Sequence, residues 1–205
     1  MSRVLVACEF SGTVRDAFIR AGHYAMSCDL LPTETPGPHH QGDVRDVLGD
    51  GWDLMVAHPP CTYLSRAGAR WWKVPGRQEL ADEAASFVAL LWAAPIPRVA
   101  IENPIGMLNR LWRYPDQSVD PYLFGDPYTK RTCLWLRGLP PLLSTDITEE
   151  RRAWLPSNVG AGRRKGQRSQ HGIAKTAKDA SRTFPGIAKA MADQWGPLLV
   201  EEMAA

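Results

Sequence analysis

The sequence predicts an α/β fold in which a mostly parallel sheet is covered by helices on both faces, with a small basic, loop-rich appendage. Three observations carry this prediction. Short apolar runs recur through the first half of the chain, segments of helical period stand between them, and nearly every unusual polar residue follows directly after a run. Open α/β sheets hold their ligands at those strand ends.

Val4 to Cys8 is the first run, and after "EFSG" the segment "TVRDAFIRAG" places Val14, Ala17, Phe18 and Ala21 at helical spacing until Gly22 stops it. Tyr24 to Asp29 reads as a second strand ending in an acid, and "GDVRDVL" as a turn entering a short helix. Leu54 to Ala57 is a buried strand cut off by Pro59 and Pro60, which lack backbone donors and restrict the dihedrals. Gln78 to Ala94 has helical composition with Leu91 and Trp92 on its buried face, and Arg98 to Glu102 is the next strand. A loop-rich stretch then runs to Thr129, followed by one more strand in "RTCLWLRG". Gly138 to Arg182 is rich in Pro, Gly and basic residues, and Phe184 to Met203 restores a helix that Gly196 and Pro197 should break. His39 and His40 lack a third ligand at metal-binding spacing and are assigned to a loop, so no metal is expected. Trp112, Trp135 and Trp154 read as core or as a platform under the appendage.

With 205 residues, 44% apolar and 22% charged, the chain suits one globular domain plus the appendage. No apolar stretch reaches the roughly 18 to 20 residues that a membrane helix needs. Cys8, Cys28, Cys61 and Cys133 lie far apart, with no CxxC pair and no secretory leader, which argues against a zinc site or disulfide framework and for a reducing cytoplasm. The net charge of +2 names no partner. Arg163, Arg164, Lys165, Arg168, Lys175, Lys178 and Arg182, however, crowd one segment against Asp179 alone, which makes it either a polyanion-binding segment or a solvated loop.

The residues after the strands suggest chemistry. A turn of Glu9, Phe10, Ser11 and Gly12 enters a helix, Asp29 and Leu30 follow the second strand, and Asp43 and Val44 lie beyond. Such a turn lets backbone approach a nucleoside-bearing cofactor and such acids accept from ribose hydroxyls, although acids there also cap helices. A cysteine after a strand is more often a small buried hydrophobe than a nucleophile. In "HPPCTYLSRAG", however, two prolines fix Cys61, and Glu102 ends the next strand in "ENP". A thiolate and an acid converging at adjacent strand ends can attack a ring and protonate it. Arg66, Arg70, Trp71, Trp72, Lys73 and Arg77 follow the thiol, a pattern that suits either a loop closing over nucleic acid or a surface loop with its tryptophans tucked inward.

Together "HPPCTYLSRAG" and "ENP" resemble the DNA cytosine-5 methyltransferase family, in which a Pro-Cys loop carries serine four and glycine seven residues after the cysteine, followed downstream by Glu-Asn. Cys61, Ser65 and Gly68 match the first motif, Glu102 and Asn103 the second. The resemblance implies a Rossmann-like fold for S-adenosylmethionine, with Glu9, Phe10, Ser11, Gly12, Asp29, Leu30, Asp43, Val44 and Pro59 holding the cofactor. It implies that Cys61 adds to C6 of a flipped-out cytosine while Glu102 holds and protonates N3, with Ser65, Asn103 and Arg131 completing the catalytic group. DNA contacts are expected from Arg66, Arg70, Lys130, Arg163, Arg164, Lys165 and Arg168. Residues 1–137 would form the catalytic domain, 138–182 a reduced basic segment against nucleic acid, and 183–205 a helix packing back on the catalytic domain. Only about 45 residues stand where the family carries its target-recognition region, so the chain resembles small bacteriophage members, acting as a monomer in a bacterial or phage-infected cytoplasm.

Departures from the family are visible. Val14 replaces a second glycine and leaves less room beside the cofactor, Thr62 replaces a glutamine, and Cys133 replaces the second of two arginines, so that Lys130 is left to rebuild contacts to cytosine O2 or to the loop. The motif "HPPCTY" is also similar to the Asp-Pro-Pro-Tyr loop of exocyclic-amino methyltransferases, but Cys61 with Glu102 favours C5 chemistry. Two other readings stay open: the same covalent mechanism with a folate one-carbon donor such as 5,10-methylenetetrahydrofolate, giving hydroxymethylcytosine, and a non-catalytic DNA-binding relative.

Overall fold

The structure, a computed structural model, describes residues 1–65, 73–154, 174 and 176–201. The strands are β1 (Arg3–Ala7), β2 (Tyr24–Asp29), β3 (His39–Gln41), β4 (Leu54–Ala57), β5 (Arg98–Pro104), β6 (Gln117–Val119), β7 (Tyr128–Thr129), β8 (Thr132–Arg137) and β9 (Arg152–Ala153). The helices are α1 (Thr13–Arg20), α2 (Arg77–Trp92), α3 (Leu108–Leu111), α4 (Ala177–Ser181), α5 (Pro185–Trp195) and α6 (Leu198–Glu201). Seven strands form one sheet in the order β3-β2-β1-β4-β5-β8-β6, and β7 pairs with β9 apart from it. The first five of that order run parallel, and β8 lies antiparallel to both β5 and β6. This is the mostly parallel, Rossmann-like α/β sheet that the sequence predicts, with its order reversing between β1 and β4.

The apolar runs are continuous because both faces of the sheet are covered. Val4, Val6, Leu54, Val56 and Ala100 pack under α1 and α5 through Val14, Phe18, Ile187, Met191 and Trp195. Their neighbours Leu5, Met55, Ala57, Val99 and Ile101 pack on the other face against Val88 and Leu91 of α2 and Trp52. Strand alternation thus sends successive residues to two cores. Gly196 and Pro197 break the last helix where expected, α5 ending at Trp195 and α6 starting at Leu198.

Two expected loops are strands. His39 and His40 belong to β3, which extends the parallel sheet beside β2. His39 shows why: Nδ1 bonds Ser27 at 2.8 Å and Nε2 bonds the Leu31 carbonyl at 3.0 Å, so the ring braces the sheet edge. Likewise β6 crosses the stretch predicted to be loop. Both strands are three residues long and largely polar, too short for an apolar period to show. Among the described residues no helix is long and apolar enough to cross a membrane, and no group of metal-ligating side chains gathers.

Candidate active site

β4 and β5 are parallel neighbours, so the chain leaves both strands at one end of the sheet. His58 N still donates to the Ala7 carbonyl at 2.9 Å before Pro59 and Pro60 end the ladder. The following loop is then fastened to the exit of β5. Asn103, only 1% exposed, donates to the Pro59 carbonyl at 2.9 Å, Met107 N donates to Leu64 O at 2.7 Å, and Ser65 bridges Gly106. A Cβ on Gly106 would lie 1.8 Å from Leu64 O, so this approach requires glycine. Leu64 N and Ser65 N both donate to the Cys61 carbonyl, at 3.0 and 2.9 Å, and close the turn that carries the thiol. From α2, Arg77 donates to the Thr62 carbonyl at 2.8 Å and stacks on Tyr63, bracing the loop.

The Glu102 carboxylate accepts a hydrogen bond from His58 Nδ1 at 2.8 Å, with 7% of the His58 side chain and 12% of the Glu102 side chain exposed. Burial alone would push the Glu102 carboxyl up, but the His58 hydrogen bond and charge, Lys130 and the Thr132 hydroxyl together hold it below the usual range. The Cys61 thiol is pushed up, first by burial and then by the Glu102 charge, while Lys130 and a backbone hydrogen bond pull it back. Thiol, acid and ammonium therefore share one electrostatic field. Glu102, Lys130, Thr132, Thr183 and Phe184 line a small hollow of about 10 Å³.

A larger cavity of about 290 Å³ opens against Pro60, lined by Cys8, Cys28, Asp29, Leu30, Gly42, Asp43, Val44, Arg45, Pro60 and Phe87. Its walls are mostly apolar and its carboxylates stand at strand ends. Asp29 Oδ1 accepts from Leu31 N at 2.9 Å, and Asp43 Oδ1 accepts from Arg45 N at 2.9 Å, capping a 3-10 turn over Val44–Asp46. The second oxygen of each acid has no hydrogen-bond partner among the described residues. Burial first, then Asp29, pushes both Cys8 and Cys28 up to about 12, so their thiols are neutral wall rather than nucleophiles.

The glycine turn is built differently from the expectation. Glu9, 4% exposed, caps α1: its two oxygens accept from Val14 N at 2.7 Å and Arg15 N at 3.2 Å. Ser11 donates to the same carboxylate at 3.1 Å. Gly12 adopts φ +76°, and a Cβ there would meet Thr35 Oγ1 at 2.2 Å. The chain itself occupies that approach, because the fully buried Arg15 reaches Thr35 Oγ1 at 2.7 Å, Thr33 Oγ1 at 3.2 Å and the Pro36 carbonyl at 3.3 Å. Phe10 is covered by Lys178 Nζ, 5.0 Å from its ring. Val14, expected to crowd a cofactor, points into the core instead.

Of the expected cofactor residues, Asp29, Leu30, Asp43 and Val44 line the cavity; Glu9, Phe10, Ser11 and Gly12 do not, and Pro60 stands there rather than Pro59. Arg131 also departs from its expected place. Lys130 and Thr132 face Glu102, so strand alternation turns Arg131 the other way, where it pairs with Asp120 at 3.2 Å with 63% of its side chain exposed. Cys133, next on that side, is 3% exposed and in the core. Arg137 donates to the Trp92, Ala94 and Ile96 carbonyls at the end of α2. Arg66, Gly68, Arg70, Arg163, Arg164, Lys165 and Arg168 lie outside the described residues. Sequence reasoning missed His58, Thr132, Thr183 and Phe87. His58 had a signal, being a titratable residue at a strand end inside the quoted motif, whereas Phe87 is one apolar residue among several on a helix.

No protein-family model matches the sequence, and no curated protein sequence matches it. Solved structures do resemble it in shape. A protein assigned as a DNA modification methyltransferase, encoded within an E. coli prophage, shares 14% identity over 66% of this chain and 46% of its own, with a TM-score of 0.43. A mutant DNMT2 of Spodoptera frugiperda shares 16% identity over 78% of this chain and 57% of its own, with a TM-score of 0.44. The S. pombe Dnmt2 methyltransferase shares 16% over 74% and 51%, with a TM-score of 0.41. The chain spans about half the length of these structures.

Proposed function

We propose that the chain transfers a one-carbon group, a methyl from S-adenosylmethionine, to C5 of cytosine in DNA. The observation that carries this reading is that Cys61 and Glu102 leave adjacent strand ends within one electrostatic field, beside a cavity edged by Asp29 and Asp43. In this reading Glu102 takes up a proton from water as the base arrives and gives it to N3, while the Cys61 sulfur, its own proton lost to water, bonds to C6 and the 5,6 double bond opens to leave a nucleophilic C5. Lys130 would face O2 and disfavour the neutral thiol. Once C5 has taken the one-carbon group in exchange for the donor's leaving group, loss of the C5 proton to water, return of the N3 proton to Glu102 and expulsion of Cys61 would restore the ring. General acid assistance of this kind contributes about 100- to 10,000-fold.

The cavity fits a nucleoside-bearing donor: it has apolar walls, two carboxylates each with a free oxygen, and a volume near the lower end of small-molecule sites. Asp29 would accept from the ribose and Val44 with Phe87 would flank the base. Such a donor supplies the electrophilic carbon. Because the Gly12 approach is filled by Thr35 and Arg15, a folate-borne one-carbon unit is the second reading, since nothing that Cys61 and Glu102 do requires a sulfonium. Residues 138–182 would lie against the DNA backbone and add salt-dependent affinity with little base discrimination.

Incubation of the protein with DNA and each donor class, followed by mass analysis of the nucleosides, tests this. Methylcytosine with S-adenosylmethionine is expected, and 5-fluorocytosine DNA should form a covalent adduct through Cys61. Cys61→Ala should abolish turnover and adduct together. Turnover by that variant would reject the mechanism.

A further inference from the structure

The molecule contains two histidines of opposite kind near the strand ends. His39 bonds through both ring nitrogens and serves the sheet. His58 uses only Nδ1, on Glu102 at 2.8 Å, with Thr183 Oγ1 at 3.4 Å from the same nitrogen. Its Nε2 is buried without a partner among the described residues. His23 Nδ1 is likewise buried without a hydrogen-bond partner among the described residues, so what sets His58 apart is that its bonded nitrogen faces the buried Glu102 carboxylate.

We propose that His58 is a positioning residue for Glu102, fixing one carboxylate oxygen and the charge of the group so that the other oxygen meets the base. This rests on the cytosine reading. A carboxylate only accepts, so Nδ1 carries the hydrogen and Glu102 Oε2 receives it. The backbone that carries the ring is held, because His58 N donates to Ala7 O and the next two residues are prolines. Asn103 supplies a second brace from β5 to the same loop through Pro59 O. Nucleophile and acid come from different strands, yet these two cross-braces lock their relative position, which is what a reacting geometry needs. The groups facing the pair are Lys130 and Thr132 beside β8, Thr183 before α5, and Cys61 on the loop of His58 itself.

The decisive measurement is the ionisation of Glu102, followed by carbon-13 NMR of labelled carboxyls in the full chain and identified by the signal lost in Glu102→Gln. Removing the donor in His58→Ala should raise the proton affinity of Glu102 roughly tenfold or more. His58→Asn, whose amide can stand where Nδ1 stood, should bring the titration part of the way back. In turnover, His58→Ala should lower kcat about 100-fold while KM for DNA stays within about threefold, and His58→Asn should recover most of it. An unchanged Glu102 titration in folded His58→Ala, or in His58→Asn equal to His58→Ala, overturns the proposal. Were the wild type to modify no DNA, the cytosine reading would fall while the titration still decided the role of His58.

Discussion

The two ends of this strand-end crevice are built on opposite principles. At β4, β5 and β8, charged side chains face one another: His58 and Lys130 hold the Glu102 carboxyl down, and Glu102 and Lys130 pull the Cys61 thiol in opposite directions. At β1 and β2 the charges are consumed by architecture: Glu9 caps α1 and buried Arg15 ties down residues 33 to 36, leaving an apolar cavity with acids only at its edge. In the proposed chemistry the first arrangement supplies the reacting groups and the second a shape. Mutations should therefore fail differently, by lost chemistry at one end and lost fold at the other.

Arg15→Met gives the largest expected loss of stability. It removes the donor that the Ser27, Thr33 and Thr35 hydroxyls and the Pro36 carbonyl share, and breaks the Arg15–Asp16 ion pair at 2.7 Å. Breaking a buried charged network costs about 3 kcal/mol or more, so thermal unfolding should fall by roughly 6 to 12 °C. A variant that unfolds with the wild type would remove the contrast between the two ends.

Asp29→Asn comes next and separates shape from recognition. The asparagine oxygen can still accept from Leu31 N, but its amide group replaces the oxygen left for a ligand. A lost hydrogen bond to a charged acceptor is worth about 1.5 to 3 kcal/mol, so calorimetric titration should show donor affinity weakened roughly 10- to 100-fold with unfolding unchanged. Equal affinity would mean that the cavity recognises its ligand through its walls alone.

This contrast also explains what the sequence made legible. β1, β2, β4 and β5 announce themselves because both of their faces are buried, and Cys61, Glu102 and Asp29 stand out because each punctuates such a run, whereas Asp43 is marked only by the "GDVRDVL" turn. The pairing of His58 with Glu102 joins residues 44 apart and has no local trace. The choice between Lys130 and Arg131 depends on which way each residue of the two-residue link between β7 and β8 faces, and no apolar period reports that. Arg15, in a helix whose apolar positions mark another face, reads as a solvent residue; only the fold of residues 33 to 36 over it makes it buried. β3 and β6 were lost to their brevity.

Where the two ends meet, Glu34 is held by Arg182 at 2.8 and 3.1 Å and by Lys178 at 2.8 Å, and the same segment reaches the reactive end through Thr183 and through Lys130, which donates to Arg182 O. The hydrogen bonds from Arg182 and Lys178 hold the Glu34 carboxyl below its usual range. Its contribution to stability is therefore complete above the ordinary carboxylate value, about 4.3, and is lost as pH falls through the lower folded value, because the unfolded chain takes up the proton first. The clasp is near the surface and open to salt, so it is worth at most about 1 kcal/mol. Glu34→Gln should accordingly unfold slightly below the wild type at pH 7, with the gap closing as pH falls below the usual carboxylate range and again at high salt. A gap that persists under both conditions would show that Glu34 acts by packing, and that the two ends are joined by shape rather than by charge.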